Sequence, residues 1–236
     1  MTAEQNKQYE KECAENKAKI SIAIDGPAGA GKSTIGKEIS KRLSITYVDT
    51  GAMYRAIGLK ALRLGIDPAD KQRVLPMLES TDVSIKYIDG VQHVFLDGED
   101  VSGLIRTEQA SHNASVISTI PEVRQKLVEL QRALAEVCNV VMDGRDICSY
   151  VLPNATHKFY ITARPEIRAQ RRFAEYEAAG KLDGRSFEDI LCEIKHRDER
   201  DSTRETAPLR PAADAVIIDT SEMDIEGAVA AVLAHI

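Results

Sequence analysis

The stretch Ile20–Leu43 restricts the chain more than any other. A β-branched apolar run, Ile20, Ile22 and Ile24, has the character of a buried strand and stops at Asp25. The next eight residues, Gly26-Pro27-Ala28-Gly29-Ala30-Gly31-Lys32-Ser33, fit G-x-x-x-x-G-K-[ST], and Ile35–Leu43 continues at helical spacing. Strand, glycine loop and helix in that order form a phosphate cradle. The glycines let successive N–H groups converge on phosphate oxygens, and the helix adds its positive N-terminal end. Lys32 is placed to reach the β- and γ-phosphates, Thr34 belongs to the same loop, and the Ser33 hydroxyl is placed to join the shell of a Mg²⁺ ion. A nucleotide phosphate is the expected ligand.

The segments after this unit alternate in period. Short apolar strands are expected at Ile45–Val48, Val140–Met142, Lys158–Ile161 and Val216–Ile218, separated by helices. Five strands with helices between them predict an α/β fold: a five-stranded parallel sheet flanked by helices, with its site at the strands' carboxyl ends. From Asp82 the pattern changes to period two, with Val83, Ile85 and Tyr87, a turn at Asp89-Gly90, a return over Val94–Leu96 and a second turn at Asp97-Gly98. We place this small antiparallel β insert outside the main sheet. Helices are expected over Thr107–Ser118, Glu122–Val137 and Pro165–Ala179. Gly180–Gly184 is read as a joint, and Ser186 with Asp189 caps a helix running to about Ser202. Residues 1–18 form a charged N-terminal extension.

At 236 residues and 43% hydrophobic, one principal domain is expected, and a net charge of −6 argues against a nucleic-acid polymer or an anionic membrane as partner. Cys13, Cys138, Cys148 and Cys192 have no C-x-x-C pairing, and the five histidines lack metal-ligand spacing. No apolar stretch is long enough to span a bilayer and no signal-peptide core is present, so a cytoplasmic monomer acting on small molecules is expected.

Asp143 ends an apolar strand, as a Walker-B acid does, and is a second candidate for holding Mg²⁺ through water. Arg145 and Asp146 share its loop. Between residues 164 and 210 stand nine arginines but only Lys181 and Lys195, and the planar arginine fork suits bidentate phosphate contacts. Arg197, Asp201 and Arg204, at i, i+4 and i+7, are expected on one helical face, which is also compatible with a simple Arg197–Asp201 ion pair. Arg168, Arg171 and Arg172 make a second such set, and Arg55 is a third candidate anion ligand.

Asp25–Thr34, Asp49-Thr-Gly-Ala-Met-Tyr-Arg55, Gly98–Gly103, Ile105-Arg-Thr107, Asp143-Gly-Arg-Asp146, Arg197–Arg204 and Ala207-Pro-Leu209, in this order, resemble the bacterial cytidylate kinases from about Ile20 to the C-terminus. The resemblance implies a P-loop nucleoside monophosphate kinase fold over residues 19–236, with a monophosphate-binding insert at about 66–118 and a helical lid at about 174–186. It implies Mg²⁺-dependent transfer of the ATP γ-phosphoryl to CMP or dCMP, giving CDP or dCDP, with lesser use of UMP. By this resemblance Ser115, Arg124 and Asp146 read cytosine, Arg197 and Asp201 the sugar, and Arg55, Arg145 and Arg204 the acceptor phosphate. Thr50 and Tyr54 line the same pocket, Arg171 joins Lys32, Arg145 and Arg204 at the transferring group, and Arg172 contacts ATP. After Asp146 the chain departs from the usual glycine and threonine, with Cys148 and Ser149 instead, and Asn154 stands for a common aspartate. Three rivals stay open at this level: a kinase of small hydroxyl compounds such as shikimate, a GTPase, for which Asn16–Lys19 fails N-K-x-D, and a non-catalytic nucleotide sensor.

Overall fold

The computed structural model describes residues 19–236, so the N-terminal extension expected at 1–18 lies outside the described residues. The main strands are β1 (Ser21–Asp25), β2 (Thr46–Asp49), β6 (Val140–Gly144), β7 (His157–Thr162) and β8 (Val216–Asp219), and they form a five-stranded sheet in the order β2-β6-β1-β7-β8. β1 runs parallel to β7, with Ile22 opposite His157, and β7 runs parallel to β8, with Phe159 opposite Val216. β1 and β6, inside the sheet, are buried at nearly every position, as a parallel sheet covered on both faces requires, whereas β2, β7 and β8 alternate buried with less buried residues.

A separate antiparallel sheet holds β3 (Val83–Ile88), β4 (Val91–Leu96) and the two-residue β5 (Glu99–Asp100). Its two turns, Asp89-Gly90 and Asp97-Gly98, place both residues at positive φ, between 50° and 86°, the backbone demanded by a tight hairpin with right-handed strand twist.

The helices are α1 (Lys32–Leu43), α2 (Thr50–Arg63), α3 (Lys71–Glu79), α4 (Glu108–Ile117), α5 (Pro121–Val137), α6 (Pro165–Ala178), α7 (Phe187–Thr203) and α8 (Ile225–Leu233). Most begin at a residue whose side chain accepts an otherwise unpaired backbone N–H: Asp49 from Ala52, Thr107 from Ala110 and Asp224 from Gly227. Ser186 and Asp189 form the reciprocal capping box that their spacing predicts.

The described residues group into two compact units. One runs up to Ser21 and over Ile45–Met142, and the other comprises Ile22–Ser44 and Asp143–Ile236. In the first, Met53 and Ile57 of α2 pack with Val94 and Leu96 of β4, Ile117 of α4 and Leu127 of α5 into one apolar core. In the second, Ala169 of α6 meets Ile190 and Ile194 of α7, with Phe173, Tyr176 and Leu182 against them.

Candidate active site

The second unit carries the phosphate loop between β1 and α1. Gly26 has φ +147°, and a Cβ there would stand 1.9 Å from the carbonyl oxygen of Ile161, so no other residue fits without moving β7. Gly29 and Gly31 also adopt positive φ, and Gly31 precedes α1 with no side-chain cap. The first amides of α1 are thereby left to an anion. Lys32 is buried, its Nζ donating to the carbonyl of Pro27 at 2.7 Å. Burial, then the positive charges of Arg145 and Arg197, push its pKa well below the usual lysine value against the opposing pull of Asp143 and Asp25. A polyanion here would relieve that repulsion. Ser33 Oγ donates to Asp143 Oδ2 at 2.8 Å, which joins the two oxygen groups picked out for Mg²⁺.

Beyond β6 the same unit holds a ring of charges. Arg145 Nε donates to Asp201 Oδ2 at 2.8 Å. Asp201 is buried, which by itself would raise its pKa, but Arg145 and Arg197 more than offset this and hold the carboxyl below its ordinary value. Sequence spacing allowed a simple Arg197–Asp201 pair; Asp201 accepts from Arg145 and also feels the charge of Arg197. α7 ends at Thr203, so Arg204 is not on its face: it is the C-cap, with ψ 142°. Its Nε donates to the carbonyl of Ala207 at 2.7 Å and its Nη2 lies 3.5 Å from Asp146 Oδ1. The expectation of one helical face holds for Arg197 and Asp201 only. After Asp146 the chain makes a five-residue π turn, Ile147–Val151.

The arginines of α6 divide. Arg168 is 3% exposed; its guanidinium bonds both oxygens of Asp198 and also donates to the carbonyls of Ala163 and Ala28. It braces the phosphate loop from behind. Arg171 donates to the Thr220 hydroxyl and carbonyl, and Thr220 Oγ1 donates in turn to the carbonyl of Ala30. Arg172 lies over the Tyr176 ring at 5.3 Å and donates to its hydroxyl. Arg171 and Arg172 line an open cavity of about 980 Å³ together with the loop from Gly29 to Ile35 and the start of α8. The three do not form the single set their spacing suggests.

The first unit holds the remaining residues singled out. Arg55 Nη2 meets Asp49 Oδ2 at 2.8 Å, while its buried Nε has no hydrogen-bond partner. The peptide of Asp49 is clamped by the Gln92 side chain of β4, which accepts from the Asp49 N–H at 2.7 Å and donates to its carbonyl at 3.1 Å. Thr50 is buried at the start of α2. Arg124, 1% exposed, sets its guanidinium over the Tyr54 ring at 5.9 Å and donates to the carbonyl of Ser118 at 3.2 Å, and Ser115 is buried on α4. Among the described residues no group of three or more His, Cys, Asp or Glu is placed to hold a metal ion.

A family model described as cytidylate kinase matches residues 22–236. The chain belongs to the cytidylate kinase family. It is 53% identical to the cytidylate kinase of Caldicellulosiruptor bescii over 209 residues, covering 88% of this chain and 91% of that protein. The cytidylate kinase of Caldanaerobacter subterraneus subsp. tengcongensis is 51% identical, with 88% and 90% covered, and that of Geobacillus kaustophilus 49% identical, with 89% and 93% covered. Among solved structures, shikimate kinase from Bacteroides thetaiotaomicron aligns with a TM-score of 0.49 at 16% identity, over 93% of this chain and all of that one.

Sequence reasoning gave no role to four residues of this family member: Asp25, Gln92, Asp198 and Thr220. Asp25 alone left a trace, as an acid ending an apolar strand beside the first loop glycine. The departure at Cys148 is accommodated in the interior, where the thiol faces the carbonyls of Ala23 and Phe159, and burial and Asp25 push its pKa up.

Proposed function

We propose that this protein transfers the γ-phosphoryl group of ATP to CMP or dCMP, giving ADP and CDP or dCDP. The observation that carries the reading is the charge arrangement of the second unit: Lys32, with Arg145 and Arg197 raising the positive potential around it, and Asp146 beside Arg204. Such a field favours two polyanions that would otherwise repel each other.

The acceptor is itself a phosphate with a second pKa near 6, so at neutral pH it is already mostly dianionic and no general base is needed. One of its oxygens attacks the γ-phosphorus as the bond to the ADP oxygen breaks. In this reading the loop amides and Lys32 hold the donor phosphates, with Arg171 and Arg172 beside them, and Arg55, Arg145 and Arg204 hold the acceptor phosphate. Asp201 keeps Arg145 aimed and, with Arg197, meets the sugar. Asp146 accepts from the N4 amino group of cytosine, where uracil would present a carbonyl acceptor, and Ser115, Arg124, Thr50 and Tyr54 complete the base and monophosphate contacts. Ser33 and Asp143 offer a hydroxyl and a carboxylate, a donor set that fits Mg²⁺, which retains several waters and takes phosphate oxygens as its other ligands. When bound, the ion neutralises charge on the β- and γ-phosphates. Residues 66–118 serve the monophosphate and residues 174–186 close over the donor to exclude water, in a protein acting as a cytoplasmic monomer. No helix among the described residues is long and apolar enough to cross a membrane.

The test is a coupled assay of ADP release with ATP, Mg²⁺ and, in turn, CMP, dCMP, UMP, AMP and shikimate. CMP and dCMP are expected to be turned over fastest. Fastest turnover of UMP, AMP or shikimate overturns the assignment, and no turnover of any acceptor points to a nucleotide sensor.

A further inference from the structure

Asp25 takes no part in the chemistry above, yet it is the most unfavourably placed carboxylate of the second unit. It is fully buried, and its two oxygens accept from two consecutive backbone amides, Ile147 N at 2.7 Å and Cys148 N at 2.8 Å. These are the first two residues of the π turn, directly after Asp146. The same turn is closed on its other side by the Asp146 carbonyl, which accepts from Tyr150 and Val151. Asp146 therefore sits between two fixed ends, with φ −150° and ψ 24°. A neutral side chain of this size could not serve: an asparagine has one acceptor oxygen, and its amide group would face an N–H. The carboxylate is kept although burial and the like charge of Asp146 work against it, raising its pKa to about 6 against the pull of the two amides. The charge of Asp25 is felt by Lys32, by the Cys148 thiol and by the Tyr160 phenol.

We propose that Asp25 is a positioning residue for base selection: by clamping the Ile147 and Cys148 amides it sets the direction of the Asp146 carboxylate that meets the cytosine amino group. Because Asp25 is also the residue before Gly26, one side chain ties the first step of the phosphate loop to the base-reading loop. The inference rests on the role given to Asp146 in the proposed function.

The experiment measures kcat and KM for CMP, UMP and ATP in the full-length wild type, Asp25→Asn, Asp146→Asn and the double variant. Loosening the clamp is expected to lower the CMP-to-UMP ratio of kcat/KM about 10-fold, mainly by raising KM for CMP, with KM for ATP within about 2-fold of wild type. Acting through Asp146, it adds little once Asp146 is replaced, so the two effects are non-additive. An Asp25→Asn enzyme that keeps the wild-type ratio, or a double variant in which the losses multiply, overturns the proposal. Should Asp25→Asn fail to fold, Asp25→Glu keeps the charge but displaces the clamp, and an unchanged ratio in that variant is equally fatal. If Asp146→Asn itself leaves the ratio unchanged, it is the reading of Asp146 that fails, which separates the two outcomes.

Discussion

Arg145 and Arg204, around the end of β6, and Arg172 and Arg185, around the joint between α6 and α7, belong to the same unit and to the same residue type, but their surroundings differ. The first pair is held from several sides. Arg145 bonds Asp201 and the Gly144 carbonyl, and the Arg204 side chain is 4% exposed and fixed by Ala207. The second pair is held by its own neighbours: Arg172 and Arg185 lie 5.3 and 4.6 Å from the centre of the Tyr176 ring, Arg172 donates to the Tyr176 hydroxyl, and Arg185 donates to the carbonyls of Lys181 and Leu182. Beside them Gly180, Asp183 and Gly184 all take positive φ, a backbone with few alternatives to glycine. On the proposed function, charge whose aim must be set before substrate arrives is bonded across the fold, as Arg145 is to Asp201. On the same reading, charge that travels with a closing segment is tied to residues of that segment and to a ring, the ring contact being worth about 0.5–1 kcal/mol at an exposed site.

The contrast is open to attack at several strengths. Lys32→Met removes the cation at the centre of the pre-aimed group and is expected to lower kcat by about 100- to 1,000-fold, or about 3–4 kcal/mol, with the circular dichroism spectrum and melting curve unchanged. Near-normal turnover would refute its role.

The next effect is on stability. The raised pKa of Asp25 means that the folded chain holds a proton at pH values where the unfolded chain has lost it. Its contribution favours the fold below about pH 4 and is lost as pH rises through about 6, a swing of about 3 kcal/mol at most. Denaturant melts of wild type and Asp25→Asn across pH 4–7 should differ in slope in this direction, the variant being flatter. Arg168→Ala leaves Asp198 and the carbonyls of Ala28 and Ala163 without their donor, so a loss of about 3 kcal/mol in urea unfolding is expected. Arg168→Lys should recover little of it, since an ammonium cannot bond both carboxylate oxygens in the same plane. Arg172→Ala is the mild case: a rise in KM for ATP of about 5-fold with stability within about 0.5 kcal/mol of wild type, read by steady-state kinetics and thermal melts.

Elements with a local signal were readable in advance. The apolar strands, the two Asp-Gly hairpins and the capping box at Ser186 are each written in adjacent residues. So was the phosphate loop, because glycine spacing and a following helix determine where its amides point. The partners of the site residues were not. The Asp25 bonds to Ile147 and Cys148 cross more than 120 residues of chain, and Gln92 reaches Asp49 over 43, distances at which spacing carries no information. The end of α7 was read to within a residue, about Ser202 against Thr203, but i+7 spacing carried Arg204 past it onto the same face, where the backbone turns away. The π turn was missed because five residues are too few to establish a period.

The most direct test follows backbone and arginine side-chain resonances of isotopically labelled protein as CMP is added. The account predicts saturable shifts at Asp146, Ile147 and Cys148, and at Ser115 and Arg124, with UMP producing them only at much higher concentration. A CMP titration that leaves these signals in place while moving others, or one in which UMP matches CMP, would contradict it.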